Sequence, residues 1–275
     1  MPHSIHISEW IKRAQHDYYI LFVQAWIPFN AWYKREIAPL SGDKDRECIN
    51  YICRNANTYK NKILSLLNGA DRQSRTFKQE LADLHATLSA HSIPDIAEPI
   101  TFRTTSIYDL STSFLEEDFY RYHYKVERTG ASPNFHYDIR IEDKNTHATK
   151  YTKNFNRWKL EDLTSDVNFN VLSDSVKTHT IDLFKRIYPG SPTNVVLDPV
   201  YRAGQLCAPP NSICLDEEAG IYFIKDFDKI AQVLIQVIYS LRNQIFHGSL
   251  NPTDANQEVY KHLYVIQSML IKELA

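Results

Sequence analysis

Apolar residues recur at three- and four-residue spacing in both end regions of the chain, which is the period of an amphipathic helix. The first such segment predicts a helix that is capped by Ser8, bends near Pro28 and ends at Pro39. Its apolar positions are Ile11, Tyr18, Leu21, Phe22, Ala25, Phe29 and Trp32. Further helices are predicted at 43–68, 72–91, 226–248 and from Asn251-Pro252 onward. The last of these has one apolar face, formed by Val259, Leu263, Ile266, Leu270 and Leu274.

The middle of the chain instead alternates apolar and charged positions with a period of two, which is typical of half-buried strands. Two such runs, at 120–127 and 135–142, flank a Gly-Ala-Ser-Pro segment and predict an antiparallel hairpin. A hairpin alone is marginally stable, so its aromatic face needs a partner. That partner is either a further strand near 149–156 or the helices.

These patterns together predict a mainly helical protein, a helical bundle with an insertion that contains the hairpin. The predicted boundaries are 1–98 for the first helical half, 99–158 for the β-rich insertion and 159–275 for the second helical half. Within the second half, residues 159–188 are predicted to be helical and 190–225, with four prolines, to be irregular. Seven glycines in 275 residues also favour helices over a loop-rich or all-β fold.

Composition excludes several functional classes. The formal charge of −2 gives no global basic field, so an anionic partner would need a local patch. Four cysteines lack the close spacing of zinc sites and predict reduced thiols in a cytoplasmic protein. The chain start does not resemble a signal peptide, and the most apolar segment, 18–33, is too interrupted to span a bilayer. We find no phosphate-binding glycine loop, no serine-hydrolase elbow and no evident acidic metal cluster, so neither a cofactor nor a metal is predicted.

The helix predicted at 226–248 carries the strongest candidate site. On a helical wheel, one apolar stripe faces the core, and a polar group lies on the opposite side within about 60°. That polar group is Gln232, Gln236, Tyr239, Asn243 and His247. Arg242 projects at the flank of the stripe, and about 7.5 Å of helix rise separates it from His247. Both side chains could therefore touch one phosphate group.

The residue types at this helix end suit RNA cleavage without a metal. An imidazole can accept or donate a proton near neutral pH, and a guanidinium can bind phosphate oxygens with two hydrogen bonds. Asn243, one turn before His247, can hydrogen bond to the imidazole or to the phosphate. The alternative is that Arg242 and His247 only complement the dipole of the helix terminus, where Gly248 is suited to the left-handed cap.

The same helix is apolar enough that both of its faces should be covered. A second copy of the chain is the simplest cover, because a symmetric contact would bring two Arg242–His247 pairs into one cleft. A homodimer with a composite site is therefore predicted.

The segment Arg242-Asn243-Gln244-Ile245-Phe246-His247 resembles the R-N-x-x-x-H motif of the HEPN superfamily (higher eukaryotes and prokaryotes nucleotide-binding). The run AWIPFNAWY, 25–33, is similar to the W-x-x-F-N-x-x-Y segment in the first helix of several bacterial HEPN branches. The resemblance implies a HEPN-like helical bundle that dimerises into a metal-independent endoribonuclease. It further implies a role as a toxin or an anti-phage defence effector, with an antitoxin or defence-system partner.

By position, the resemblance assigns phosphate binding to Arg242, acid–base or phosphate contact to His247, and support of both to Asn243. Asn30 is a candidate for the wall of the substrate cleft, with a buried amide bonded to helix backbone as the alternative. Ser249 stands where HEPN toxins paired with nucleotidyltransferases often carry a tyrosine, which puts that mode of regulation in doubt.

Other interpretations remain open at this point. The chain could be a non-catalytic HEPN-like dimerisation module that binds a nucleotide, RNA or a protein partner. The β insertion could instead be a sensor for a phage or antitoxin component. The charged face of the hairpin could contact RNA, or it could simply be solvated.

Overall fold

The computed structural model describes residues 17–91, 93–94, 99–107, 112–131, 134–190, 192–202, 205–248 and 250–274. Its helices are α1 (Tyr18–Glu36), α2 (Ala38–Ser41), α3 (Asp45–Arg54), α4 (Thr58–Asn68), α5 (Arg72–Ala90), α6 (Leu160–Thr164), α7 (Val167–Asn170), α8 (Asp174–Arg186), α9 (Phe227–Phe246) and α10 (Asp254–Leu270), followed by a short 3-10 helix, Ile271–Glu273. Its strands are β1 (Phe114–Phe119), β2 (Tyr122–Ala131), β3 (Asn134–Asp143), β4 (Thr149–Phe155), β5 (Val196–Leu197), β6 (Val200–Arg202), β7 (Gln205–Cys207), β8 (Ser212–Asp216) and β9 (Ile221–Ile224).

These elements form two compact units. The first comprises Met1–Thr105 and Pro192–Ala275, and the second comprises Ser106–Ser191. The predicted cap Ser8, the apolar position Ile11 and the motif neighbour Ser249 lie outside the described residues. Among the described helices, none combines the length and the apolar composition that a membrane span requires.

Local capping explains where the first helices of unit 1 begin. Asp17 caps α1, because its Oδ1 accepts hydrogen bonds from the backbone N–H groups of Tyr19 and Ile20. Pro28 lies inside α1, whereas Pro39 lies in the first turn of α2 rather than ending α1. The single helix predicted at 43–68 is divided into α3 and α4, since Asn57 caps α4 through the N–H of Lys60, 2.9 Å away.

The core of unit 1 is built around α1 and α9. Phe22, Trp26 and Phe29 of α1 are buried, and the Phe29 ring stacks on the Tyr59 ring of α4 at a centroid distance of 4.1 Å. The predicted apolar stripe of α9 is buried over Ile230, Leu234, Val237, Ile238 and Leu241. Burial of such apolar surface is the main favourable contribution to folding, and it fixes the side chains that α9 carries.

The prediction of a mainly helical bundle is wrong. About half of the described residues are helical and about a fifth are in strands, which form a four-stranded sheet, a three-stranded sheet and a two-stranded ribbon. The three-stranded sheet, in the order β5-β9-β8, and the β6-β7 ribbon both occupy the segment 190–225 that was predicted to be irregular. These strands are two to five residues long, too short to show a clear two-residue period, and prolines lie between them.

Unit 2 contains the predicted hairpin, which is confirmed. Strands β2 and β3 pair antiparallel from Tyr122 opposite Asp143 to Ala131 opposite Asn134, and β1 and β4 extend the sheet on either side. The buried face of the sheet carries Tyr124, Val126, Tyr137, Ile139 and Ile141. It packs with residues of α6–α8 and the segments between and after them, namely Leu163, Phe169, Leu172, Val176, Leu183, Phe184 and Ile187.

The structure thus gives the hairpin both partners considered from the sequence, a strand at 149–155 and helices. Residues 159–191, which the predicted boundaries assigned to the second helical half, lie in the same compact unit as the sheet. The reason is that the aromatic face of the sheet is buried against those helices.

Candidate functional site

The C-terminal end of α9 carries Arg242, Asn243 and His247 together. His247 caps the helix, and its backbone N–H donates to the Asn243 carbonyl at 2.9 Å. Gly248 follows with φ = +67°, the left-handed conformation predicted for this cap, and its N–H donates to the Ile245 carbonyl. The chain then folds back, because the N–H of Leu250 donates to the Gln244 carbonyl at 3.2 Å.

The side of α9 opposite its core stripe is largely covered by α3 of the same chain. The Gln236 amide donates to Asn50 Oδ1 at 3.2 Å, and the Arg46 guanidinium lies 5.2 Å from the centre of the Tyr239 ring. Gln236 and Tyr239 are both buried. The sequence predicted that a second chain would cover this side of the helix, but α3 covers it here. From Lys229 onward, the first exposed residues are Phe246 and His247.

Arg242 is held on several sides. Its Nη2 lies 3.2 Å from Asp45 Oδ2 in an ion pair, and its Nη1 donates to Asn243 Oδ1 at 3.0 Å. The guanidinium also lies against two aromatic rings, 5.4 Å from the centre of Trp26 and 4.2 Å from that of Phe246. The Arg242 side chain is 16% exposed, and its Nε is buried with no hydrogen-bond partner among the described residues.

Asp45 binds a second cation besides Arg242. Its Oδ1 lies 2.9 Å from Lys34 Nζ, and the Tyr33 hydroxyl is also hydrogen bonded to this carboxylate. Burial alone would raise the pKa of Asp45, but the hydrogen bond from Lys34, the charge of Lys34 and the other contacts outweigh it and lower the pKa. Asp45 is therefore ionised at neutral pH, and two positive charges share its one negative charge.

Asn30 is connected to Arg242 through this cluster. Its half-buried amide donates to the Tyr33 hydroxyl, which in turn contacts Asp45. Burial, followed by the charge of Asp45, raises the pKa of Tyr33, so the phenol stays protonated. The structure thus links the two segments that carry the family resemblance, although Trp26 and Tyr33 of the first segment are core residues.

His247 does not join this cluster. Its side chain is exposed, and no hydrogen bond or ion pair of its imidazole is found within the part of the chain that the structure describes. Asn243 Oδ1 accepts from Arg242 rather than from the imidazole. The structure therefore brings Arg242, Asn243 and Asn30 into one network and leaves His247 free at the surface of the same helix end.

Sequence reasoning missed Asp45 and Lys34, because they lie on α3 and α1, far from Arg242 along the chain, and belong to no linear motif. Trp26 is the tryptophan of the W-x-x-F-N-x-x-Y segment, but its contact with the Arg242 guanidinium was not predicted. Among the described residues, the side chains that could jointly hold a metal ion are Glu80 and Asp83 on α5 and His262 on α10, none of which lies at the end of α9.

The charged face of the hairpin has paired charges. The His123 imidazole lies 2.7 Å from Asp118 and 2.9 Å from Glu116, and Arg140 lies 2.6 Å from Glu142. The hydrogen bond with Asp118, then that with Glu116, raises the pKa of His123. Because neighbouring carboxylates compensate these cations, the structure favours a solvated face over an RNA-binding one.

No protein-family model, curated protein or solved structure matches the chain, so the HEPN resemblance remains a prediction from the two motif segments.

Proposed function

We propose that the protein is a metal-independent endoribonuclease whose site is the C-terminal end of α9. One observation carries the proposal: Asp45, Asn243 and two aromatic rings hold the Arg242 guanidinium, while His247 at the same helix end is exposed and unpaired among the described residues. A fixed cation beside a free imidazole is the minimum that phosphodiester transfer requires.

In the proposed reaction, one imidazole takes the proton of the RNA 2′-hydroxyl, and the 2′-oxygen attacks the adjacent phosphorus. The bond from phosphorus to the 5′-oxygen breaks, and that oxygen leaves with a proton from an imidazolium. The products are a 2′,3′-cyclic phosphate and a 5′-hydroxyl end. Arg242 binds the phosphate oxygens and stabilises the negative charge that develops on them.

The local charge balance supports binding of an anion. Lys34 and Arg242 carry two positive charges against the single negative charge of Asp45. Arg46, beside Tyr239, adds a positive charge, and the exposed Asp43 next to Lys34 adds a negative one. The cluster keeps a net positive charge, which attracts a phosphodiester even though the chain as a whole is slightly acidic.

Substitution of the two central residues tests this assignment. RNA incubated with the protein in EDTA is expected to be cut, and His247→Ala is expected to reduce the rate by about 100-fold or more. Arg242→Lys keeps the charge facing Asp45 but loses the two-pronged phosphate contact, so it should fold and still cut poorly. The exposed residues His91 and Arg75 provide matched controls, His91→Ala and Arg75→Ala, which should cut normally. Undiminished cutting by His247→Ala and Arg242→Lys would refute the site.

A second copy of the chain is proposed to supply the second imidazole. Phe246, 49% exposed beside Arg242, is the apolar residue at this helix end that such a contact would cover. Phe246→Glu is expected to shift the protein from dimer to monomer in analytical ultracentrifugation and to abolish cutting. A wild-type protein that is monomeric yet cuts RNA would contradict the composite site.

The alternative is a non-catalytic binding module, and the Arg242–Asp45 pair is the observation that favours it, because a paired and largely buried arginine is common in structural roles. Wild-type protein that binds RNA and leaves it intact would support this alternative.

The toxin or defence role is proposed only from the resemblance. Expression of the wild-type protein is then expected to arrest growth of a bacterial host, whereas His247→Ala should be tolerated. Equal growth with both would argue against it.

A further inference from the structure

Glu80 and Asp83 of α5 and His262 of α10 converge in unit 1. Each offers one ligating atom, and these atoms all lie within 4.8 Å of one another. We propose that these three residues form a binding site for a divalent first-row transition-metal ion of the class of Mn²⁺, Fe²⁺ and Zn²⁺. This proposal is independent of the proposed RNA cleavage.

The helices hold the three side chains in place. Glu80 and Asp83 are three residues apart on α5 and therefore project from the same face of the helix. Their neighbours Leu81 and Leu84 are fully buried, as is Leu263 beside His262 on α10. Ligands on packed helices keep their positions better than ligands on loops, so the three side chains stay close to one another before an ion binds.

The separation of two of the ligand atoms suits a shared ion. His262 Nδ1 lies 2.8 Å from Glu80 Oε2. Two ligands at right angles around an ion, each about 2.1 Å from it, are about 3 Å apart. An ion can therefore replace the proton that joins the imidazole and the carboxylate, with only a small movement of either side chain.

The charge of the cluster also favours a cation. In the described part of the chain, neither Glu80 nor Asp83 has an ion pair with a lysine or arginine, and the nearby Lys261 is paired with Glu258 at 2.9 Å. The Gln79 amide bonds Asp83 Oδ1 at 3.1 Å and Asp216 Oδ2 at 3.0 Å, which brings a third carboxylate close. Negative charge therefore exceeds positive charge in a half-buried position.

The donor set determines the class of ion. An imidazole nitrogen with two carboxylates suits Mn²⁺, Fe²⁺ and Zn²⁺, whereas Ca²⁺ and Mg²⁺ prefer oxygen ligands alone. The side chains of Glu80 and His262 are 22% and 13% exposed, so an ion can reach them, and three protein ligands leave coordination positions for water.

Metal titration of the full-length, chelator-treated protein tests the proposal. Isothermal titration with Zn²⁺ and Mn²⁺ is expected to show one ion per chain, and Co²⁺ is expected to give ligand-field absorption bands. Asp83→Asn and His262→Gln should each weaken binding by about tenfold or more. The matched control is His91→Gln at the end of α5, which should bind as the wild type does.

No saturable binding at ion concentrations up to about 1 mM would overturn the proposal. Equal affinity of the wild type, Asp83→Asn and His262→Gln would overturn it as well, since the ions would then bind elsewhere. Circular dichroism of each variant shows whether it is folded. Because the Asp83 side chain is only half-buried, Asp83→Asn remains informative if His262→Gln fails to fold. Because the readout is ion binding, its result is separate from the test of RNA cleavage.

Discussion

Asp45 is the residue on which the position of Arg242 depends. It binds Arg242 and Lys34 at once, and the Tyr33 hydroxyl completes its contacts. The sequence predicted Arg242, Asn243 and His247 as a group because they are close along one helix. It could not predict Asp45, because an ion pair between α3 and α9 depends on how those helices pack.

Loss of this carboxylate is expected to destabilise the fold. In Asp45→Asn, Lys34 and Arg242 face each other without a negative charge between them. The pair is half-buried, so we expect a loss of about 1–3 kcal/mol in the free energy of unfolding, between the values for exposed and buried pairs. Urea unfolding measures this loss. The matched control is Asp43→Asn, in which an exposed carboxylate is changed. Equal losses of unfolding free energy in Asp45→Asn and Asp43→Asn would contradict this role of Asp45.

Asp143 of unit 2 gives a pH-dependent prediction. The hydrogen bond from Arg121, and then the backbone N–H groups of Thr146 and Asn145, lower its pKa to about 2. Because the folded-state pKa lies below the unfolded value of 3.8, this contribution to stability is present above about pH 4 and is lost as the pH falls toward 2.

The urea midpoint of the wild type should therefore be higher than that of Asp143→Asn at pH 6, and the two midpoints should converge near pH 2. Glu161→Gln, on an exposed residue of the same unit, should not differ from the wild type at pH 6. A difference for Asp143→Asn that is constant from pH 6 to pH 2 would contradict this role of the carboxylate.

At the scale of elements, the clearest periodic patterns were the most predictable. The hairpin, α5, α9 and α10 were predicted because long runs repeat every two residues or every three to four. The break between α3 and α4 was missed, since it depends on the cap at Asn57. The short strands β5 to β9 were missed because pairing with one another, rather than any local pattern, makes them strands.

The end of α9 depends on Gly248. A Cβ at this position would meet no atom within 4 Å, so only the backbone conformation at φ = +67° resists substitution. We expect Gly248→Ala to cost about 1–2 kcal/mol. Gly248→Asn should cost less, because asparagine tolerates the left-handed region better. Thermal unfolding compares the two variants, and equal stability of the wild type and Gly248→Ala would show that this cap is unimportant.

At the scale of the whole molecule, the sequence predicted an insertion but not its extent. The sequence prediction assigned the helices at 160–186 to the helical bundle because their residue pattern is helical. That pattern does not show which surface the helices pack against. Their burial on the sheet places them in unit 2. The two sequence segments of unit 1 are hydrogen bonded to each other next to the ends of the insertion, since the Thr193 N–H donates to the Thr105 carbonyl at 3.1 Å.

This connection predicts which deletion unit 1 tolerates. Replacement of 106–191 by a short Gly-Ser linker should leave a protein that unfolds cooperatively in urea and still cuts RNA. Deletion of 99–158 is the contrasting variant, because it removes Phe102, which is buried against Phe223 in unit 1, and leaves 159–191 without their sheet. It is expected to misfold. The opposite result, a folded 99–158 deletion and an unfolded 106–191 deletion, would contradict the division into units.

Analysis of the RNA ends tests the central claim most directly. Wild-type protein incubated with RNA in EDTA is expected to produce 2′,3′-cyclic phosphate and 5′-hydroxyl ends and to leave DNA of the same sequence intact, because the 2′-hydroxyl is the nucleophile. Intact RNA, cut DNA or new 3′-hydroxyl ends at the site of cleavage would contradict a metal-independent ribonuclease built on Arg242 and His247.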